Sequence, residues 1–276
     1  MIEREPPLPL LPESRGQAPG RQRLVGKKVV VVGGGQRNFE SGNSPTGNGR
    51  AMSMLFAREG AEVVVGDVSA EAAEATVSEI TAEGGLAYAV RCDVRSEEDV
   101  RKLFSESEVR LGEIHGVAFN VGIFGGLGHG LSIEDWNNIL DVNLRGAMLV
   151  GREALAKLSP RGSLVMTSSI AGYRSGSDMI AYDSSKAGLC GIKRFYAREG
   201  ASRDIRVNTV IPGLVDTPNG REAGASRPSR GTGKGLPFRR QATAWEIAYA
   251  ALFFLSDESV YITAQEIAVD SGILGM

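Results

Sequence analysis

Apolar positions along the chain fall into short unbroken runs, separated by longer stretches in which they recur every third or fourth residue. The first run, Lys28-Val29-Val30-Val31-Val32, carries four β-branched residues in succession and stops at Gly33-Gly34-Gly35. Such a run predicts a strand buried on both faces and ending in a tight turn. A helix is predicted from near Gly47-Asn48-Gly49-Arg50 through Ala51, Met54, Leu55 and Ala57 to Gly60, then a strand over 61–66 with Asp67 at its end. The pattern continues with helix 70–82, strand 86–91 ending in Cys92-Asp93-Val94, helix 97–110 with Ser96 as N-cap, and strand 115–119 ending in Asn120-Val121-Gly122. A long helix within 133–158 carries Asn143, followed by strand 163–167, helix 182–199, strand 204–210 turning at Ile211-Pro212-Gly213, helix 243–255 and strand 265–269. Strand and helix alternate throughout. The expected fold is therefore α/β, a doubly wound parallel sheet of about seven strands with helices on both faces.

Ligands in such sheets bind outside the carboxyl ends of the strands. Asp67, Asp93, Asn120, Ser169 and Pro212-Gly213 all fall at predicted strand ends. The first strand, glycine turn and helix put glycines where a backbone must approach a pyrophosphate. Asp67 follows Gly49 at about the 20-residue distance at which an acid meets the adenosine ribose hydroxyls. Residues 37–46 interrupt the turn and are rich in Gly, Asn, Ser and Pro, the composition of a surface excursion. The excursion is either a decorative insertion or a flap over the adenosine end with Arg37 near the ribose.

Tyr182 and Lys186 stand four apart at the head of an apolar helical run, hence one turn apart on one helix face. An ammonium near a phenol favours the phenolate, which makes a proton donor and acceptor usable near neutral pH. Ser169 ends the strand-like run that begins at Leu164, and Asn143 lies in Asp141-Val142-Asn143-Leu144.

Composition narrows the function classes. The 31 basic and 33 acidic residues nearly cancel, which argues against nucleic acid as partner. Two cysteines, Cys92 and Cys190, give no disulfide framework and point to a cytoplasmic setting. No apolar run approaches the length of a membrane span, and the N-terminus lacks a signal-peptide core. Residues 1–24, with five prolines, read as a flexible tail outside a single domain of 25–276. His115 and His129 lack metal-ligand spacing, so no metal is expected.

Over roughly residues 26–276 the chain resembles the short-chain dehydrogenase/reductase family, whose fold is a Rossmann-like sheet of this kind. The family's glycine turn, Thr-Gly-x-x-x-Gly-x-Gly, matches Val32-Gly33-Gly34-Gly35-Gln36 and then Gly47-Asn48-Gly49 after the excursion. Phe119-Asn120-Val121-Gly122 matches the Asn-Asn-Ala-Gly motif, and Tyr182 with Lys186 the Tyr-x-x-x-Lys pair. Ser169 lies thirteen positions before Tyr182, as the family's catalytic Ser does, which prefers it over Ser168. Val32 stands where the family has Thr, Phe119 where it has the first Asn, and the excursion alters the adenosine side.

The resemblance implies hydride transfer between a nicotinamide cofactor and a secondary alcohol or ketone. Tyr182 would be general base or acid, Ser169 would hold the substrate oxygen, and Lys186 would tune Tyr182 and bind the nicotinamide ribose. Asn143 would hold a water that links Lys186 to solvent. The cofactor would meet Gly33, Gly35, Gln36, Arg37, Gly47, Asn48 and Gly49 at the turn. Asp67 and Val68 would face the ribose, Asp93 and Val94 the adenine, and Asn120 and Gly122 the centre. Pro212, Gly213, Val215 and Thr217 would meet the carboxamide. Asp67 favours NAD over NADP, although Arg37 or Arg50 could still reach a 2′-phosphate. The substrate wall is expected at Phe124-Gly125-Gly126-Leu127, at Tyr173, Arg174 and Ser175, and along a basic, Gly-rich loop, 218–240. Phe124 and Arg174 are the named candidates, Arg174 as partner of an anionic group. A homotetramer is expected, with a dimer as second choice. The rival readings are an NADPH-dependent 3-oxoacyl-thioester reductase and a non-catalytic dinucleotide-binding protein.

Overall fold

The structure, a computed structural model, describes residues 7–36, 44–126, 128–174, 177–224, 233 and 235–276. Strand β1 (Lys28–Val32) pairs in parallel with β2 (Glu62–Asp67) on one side and β4 (Ile114–Phe119) on the other. With β3 (Leu86–Arg91), β5 (Leu158–Thr167) and β6 (Arg206–Pro212), and two-residue strands β7 (Val215–Asp216) and β8 (Ala242–Thr243) between them and β9 (Glu266–Val269), the main sheet has seven strands in the order β3-β2-β1-β4-β5-β6-β9. β7 and β8 form a separate pair. The order reverses between β1 and β4, which leaves a crevice at their carboxyl ends.

The run Val29–Val32 explains why β1 is central. Val30 and Val32 enter one apolar core and Val29 and Val31 the other, all at most 1% exposed. The first core is covered by α3 (Glu97–Leu111), α5 (Gly146–Lys157) and α6 (Ile180–Gly200), the second by α1 (Asn48–Arg58), α2 (Ala70–Ala82) and α8 (Ala244–Leu255). Phe119, the departure from the family's first Asn, is 1% exposed and packs in the first core instead of facing the crevice. The caps follow the sequence: the Ser96 hydroxyl accepts the Asp99 N–H, and Thr243 with Glu246 makes a capping box for α8.

Two expectations are corrected. The long helix within 133–158 is divided into α4 (Ile133–Leu140), a π turn (Asp141–Arg145) and α5, so Asn143 sits in a local widening of the helix. The described part of the expected flexible tail, residues 7–24, is packed onto α1 and α8. The Glu59 carboxylate accepts the backbone N–H groups of Arg21 and Arg23, Arg58 donates to the Gly16 carbonyl, and Ser14 donates to Glu246. Leu24 is fully buried in the second core, worth about 2 kcal/mol by apolar area. The prolines leave this stretch only one short 3-10 turn, Glu13–Arg15, but do not prevent docking, and Glu59 supplies the acceptor that the irregular backbone after it needs.

Candidate active site

Helix α6 brings Tyr182, Ser185 and Lys186 to one buried face. Lys186 is 3% exposed; its ammonium donates to the carbonyls of Thr167 at 3.0 Å and Val121 at 3.3 Å, the ends of β5 and β4. Gly122 makes room for it, since a Cβ there would stand 3.1 Å from Lys186 Nζ. Burial pushes the Lys186 amine down from 10.5 to about 8. Tyr182 is 9% exposed, with its ring 4.7 Å from that of Phe124.

Asn143 is fully buried behind the site. Its Oδ1 accepts the Ile123 N–H, and its Nδ2 donates to the Ile123 carbonyl and to Ser185 Oγ. Ser185 Oγ in turn donates to the Tyr182 carbonyl. Both amide hydrogens of Asn143 are therefore committed to the protein, and the side chain clamps the Tyr182 turn of α6 to the segment after β4. The two serines at the end of β5 both line the cleft but differ in their bonds. Ser168 is buried and donates to the Lys186 carbonyl, whereas Ser169 is less buried and its hydroxyl oxygen accepts the Ala171 N–H.

At the other end, the glycine turn is tied without the family's Thr hydroxyl. The Gly33 and Gly34 N–H groups donate to the Gly66 carbonyl, Asn120 N–H to the Val32 carbonyl, and Thr76 Oγ1 to the Gly34 carbonyl. One Asp67 oxygen accepts the Gly35 N–H at 2.9 Å and the other the Ser69 N–H. Gly49 approaches so closely that a Cβ would lie 1.8 Å from the Gly33 oxygen. The N-terminus of α1 opens on the crevice with no side-chain cap on its first helical amides among the described residues. Close glycine backbone at an open helix N-terminus suits a pyrophosphate, and the residues fit a nicotinamide dinucleotide.

One cleft of about 1440 Å³ joins the two ends. It is larger than an ordinary small-molecule pocket of about 300–1000 Å³, with room for a dinucleotide and a second ligand. Gly33, Gly35, Gln36, Gly47, Asn48, Gly49, Asp67 and Val68 line one part; Asn120, Gly122, Phe124, Ser169, Arg174, Tyr182 and Lys186 line another; Pro212, Gly213, Val215 and Thr217 close it. Arg37 lies outside the described residues, as do Leu127, Ser175, Arg227, Arg230 and Lys234 of the expected substrate wall.

Several expected residues are elsewhere. Asp93 does not line the cleft: the Arg95 guanidinium holds both its oxygens and keeps its carboxyl below the usual carboxylate range. Val94 is buried in the core against α5. Arg50 is buried between α1 and α2, bonded to Thr76 and Glu79, so it does not face a ribose. Tyr173 turns toward Glu266 and Ser168, where burial above all raises its phenol. The 218–240 segment is not a loop throughout, because α7 (Pro218–Gly224) opens it. Arg221 pairs with Asp216 and Arg240 with Glu246, so neither lends its charge freely to a ligand. Ser185 and Ile273 were missed, while Leu236 falls within the expected 218–240 wall. Ser185 lies inside the Tyr-x-x-x-Lys motif and could have been found there, whereas Ile273 reaches the cleft only through folding of a distant segment. Among the described residues, no group of His, Cys, Asp and Glu could hold a metal, and His115 is occupied in accepting the Lys28 N–H.

A family model described as enoyl-(acyl carrier protein) reductase matches residues 44–274. The 3-oxoacyl-(acyl-carrier-protein) reductase FabG of Thermotoga maritima is 31% identical over 262 residues, covering 91% of this chain and 99% of the relative. The human 3-oxoacyl-(acyl-carrier-protein) reductase is 35% identical over 249 residues, 89% of this chain and 98% of the relative. A solved 7α-hydroxysteroid dehydrogenase, complexed with NADH and 7-oxo glycochenodeoxycholic acid, superimposes with a TM-score of 0.82 at 27% identity, covering 91% of this chain and 95% of that one.

Proposed function

This chain belongs to the short-chain dehydrogenase/reductase family, and from that premise we propose that it interconverts a secondary alcohol and its ketone with NAD, using Tyr182 as the proton-transferring group. It is an NAD(P)-dependent oxidoreductase acting on CH–OH or C=O groups. The observation that carries the finer reading is Lys186, buried behind Tyr182 and held by two carbonyls.

A bound nicotinamide supplies or accepts the hydride. Tyr182 takes the alcohol proton in oxidation and returns it in reduction. The Lys186 ammonium, poorly solvated by its burial, gains most from a phenolate beside it and so favours that form of Tyr182. Ser169 donates to the substrate oxygen and fixes the reacting carbon. Asn143 and Ser185 hold the first turn of α6 in register. Phe124 walls the substrate against Tyr182, and Arg174, exposed on the cleft with no carboxylate bonded to it among the described residues, takes an anionic group on the substrate. The family model's description names an enoyl reductase, but the four-residue Tyr182–Lys186 spacing supports carbonyl chemistry over enoyl reduction.

NAD is favoured because the adenosine end carries two carboxylates, Asp67 and Glu71, which repel a 2′-phosphate. Among the described lining residues the bases are Arg174 and Lys186, neither at that end. The second reading, an NADPH-dependent 3-oxoacyl-thioester reductase, is favoured by the two acyl-carrier reductases among the relatives. A homotetramer, or failing that a dimer, would cover the apolar groove of Leu140, Leu144, Met148 and Ile192 between α4, α5 and α6, where Gly191 faces open space. The proposed setting is the cytoplasm; both cysteines are free, and among the described residues no helix is long and apolar enough to cross a membrane.

Fluorescence titration with NADH and with NADPH tests the cofactor reading, followed by turnover of hydroxy acids and keto acids. Tighter NADH binding with oxidation of hydroxy acids is expected. Tighter NADPH binding with reduction of 3-oxoacyl thioesters would replace the first reading with the second.

A further inference from the structure

Ten residues separate Gln36 from Gly47 in sequence, yet Gln36 Oε1 accepts the Gly47 N–H at 2.6 Å. The nearest atoms to the Cβ position at Gly47 all belong to the Gln36 side chain, the closest at 3.5 Å. Without residues 37–46 the chain would read Val32-Gly33-Gly34-Gly35-Gln36-Gly47-Asn48-Gly49, an uninterrupted glycine turn. Gly47 is also the N-cap of α1, extended in backbone and, as a glycine, without a side chain to cap the helix. In a capping box, a side chain from the third helical residue accepts the N-cap N–H. Here Gln36 does so from the other side of the excursion.

We propose that Gln36 is a positioning residue: its amide oxygen staples the two ends of the excursion, so that α1 seats on the glycine turn as if the ten residues were absent. The physical need is plain. A contiguous turn fixes its ends by peptide bonds, whereas an excursion adds a loop-closure cost, which one well-made hydrogen bond partly offsets. The seating must be close, because Gly49 meets the Gly33 carbonyl at the limit of contact and leaves no slack for α1 to drift. Gln36 lines the cleft, and the bond from the Gly47 N–H to its amide oxygen gives it a route to cofactor binding through α1. The proposal rests on the reading that this turn holds a dinucleotide.

Four proteins test it: the native chain, Gln36→Met, a deletion of residues 37–46, and the two changes combined. NADH affinity is read by fluorescence titration and stability by Tm. Gln36→Met should weaken NADH about tenfold in the full chain, the order expected for one lost hydrogen bond that orders a site. The deletion alone should bind within about threefold of the native chain, and Gln36→Met on the deletion should change affinity by less than about twofold, because a peptide bond has replaced the staple. A Gln36→Met protein that fails to fold in the full chain but folds and binds with the deletion supports the proposal as well. Equal losses in both backgrounds would mean that Gln36 meets the cofactor directly. No loss in the full chain, lost binding on deletion alone, or failure to fold in both backgrounds would also overturn it. If the native chain binds neither NADH nor NADPH, the dinucleotide reading fails instead. Tm then decides the staple, with a drop expected for Gln36→Met in the full chain only.

Discussion

The Lys186 ammonium lies 5.8 Å from the centre of the Tyr182 ring, on the inner side of the helix that carries both. That side is buried, and the consequence is measurable without any cofactor. In the unfolded chain this amine titrates near 10.5, in the folded protein near 8. Between those values the unfolded chain binds more protons, so the contribution of Lys186 to stability rises with pH across that window. Below about pH 8 both states carry the charge, and the whole desolvation cost remains. Denaturant unfolding of the cofactor-free protein and of Lys186→Met, from pH 7 to 10, should show the difference moving in favour of the native chain as pH rises. A difference that stays flat would remove burial as the cause.

Replacing the phenol tests the chemistry separately from the binding. Tyr182→Phe should lower kcat by about 10³-fold or more, as expected for loss of a general acid-base group, while NADH affinity changes by less than about threefold. Stopped-flow turnover beside equilibrium titration checks both numbers, and substantial residual turnover would move the proton-transfer role elsewhere.

Asp67 both ties the turn, through the Gly35 N–H, and lines the cleft at the end proposed for the adenosine. Asp67→Asn keeps one acceptor for that turn and removes the charge. The variant should lose about tenfold in NADH affinity and gain in relative preference for NADPH. Titration of both nucleotides would show whether the ratio moves at all; an unmoved ratio places the selectivity in other residues.

Arg174 predicts a split by substrate charge. Arg174→Gln should raise KM about tenfold for a substrate bearing a carboxylate and leave KM for its neutral amide or ester unchanged, with kcat similar for both. Equal changes for the charged and neutral substrates would assign Arg174 to the shape of the wall rather than to charge recognition.

Glu59 holds the segment before β1. Its carboxylate takes two backbone N–H groups and the Arg23 guanidinium while fully buried. Glu59→Ala strands those donors and should cost about 2–3 kcal/mol. Brief trypsin treatment should then cut at Arg15, Arg21 and Arg23 faster than in the native chain, a rate read by mass spectrometry.

The sheet was legible because Val29–Val32 and the runs like it can be satisfied only between two layers of helix, and the glycine turn marks where the first strand ends. The placement of Tyr182 and Lys186 on one helix face was legible because four residues make about one turn of α6, and that of Ser169 because the apolar run of β5 ends just before it. The docking of residues 7–24 was not, since a proline-rich stretch carries no period and its anchor, Glu59, reads as an ordinary helix-end acid. The π turn at Asn143 was hidden for a related reason: one extra residue in a helical turn leaves the surrounding apolar pattern almost unchanged. The place of Asp93 at the end of β3 was legible, while its pairing with Arg95 was not, since nothing in the sequence makes that neighbour fold back on it.

The reversal of strand order between β1 and β4 divides the molecule into two sequential halves. β1, β2 and β3 lie on one side, all later strands of the main sheet lie on the other, and the β1–β4 ladder with α1 against α8 joins them. The cleft straddles that join, with Asp67 on one bank and Tyr182 on the other. A dinucleotide touching both banks is then a rivet as well as a reagent. Because a ligand bound only by the folded state raises stability with the logarithm of its concentration, the lifetime of this protein against proteolysis should follow the size of the cofactor pool that it serves.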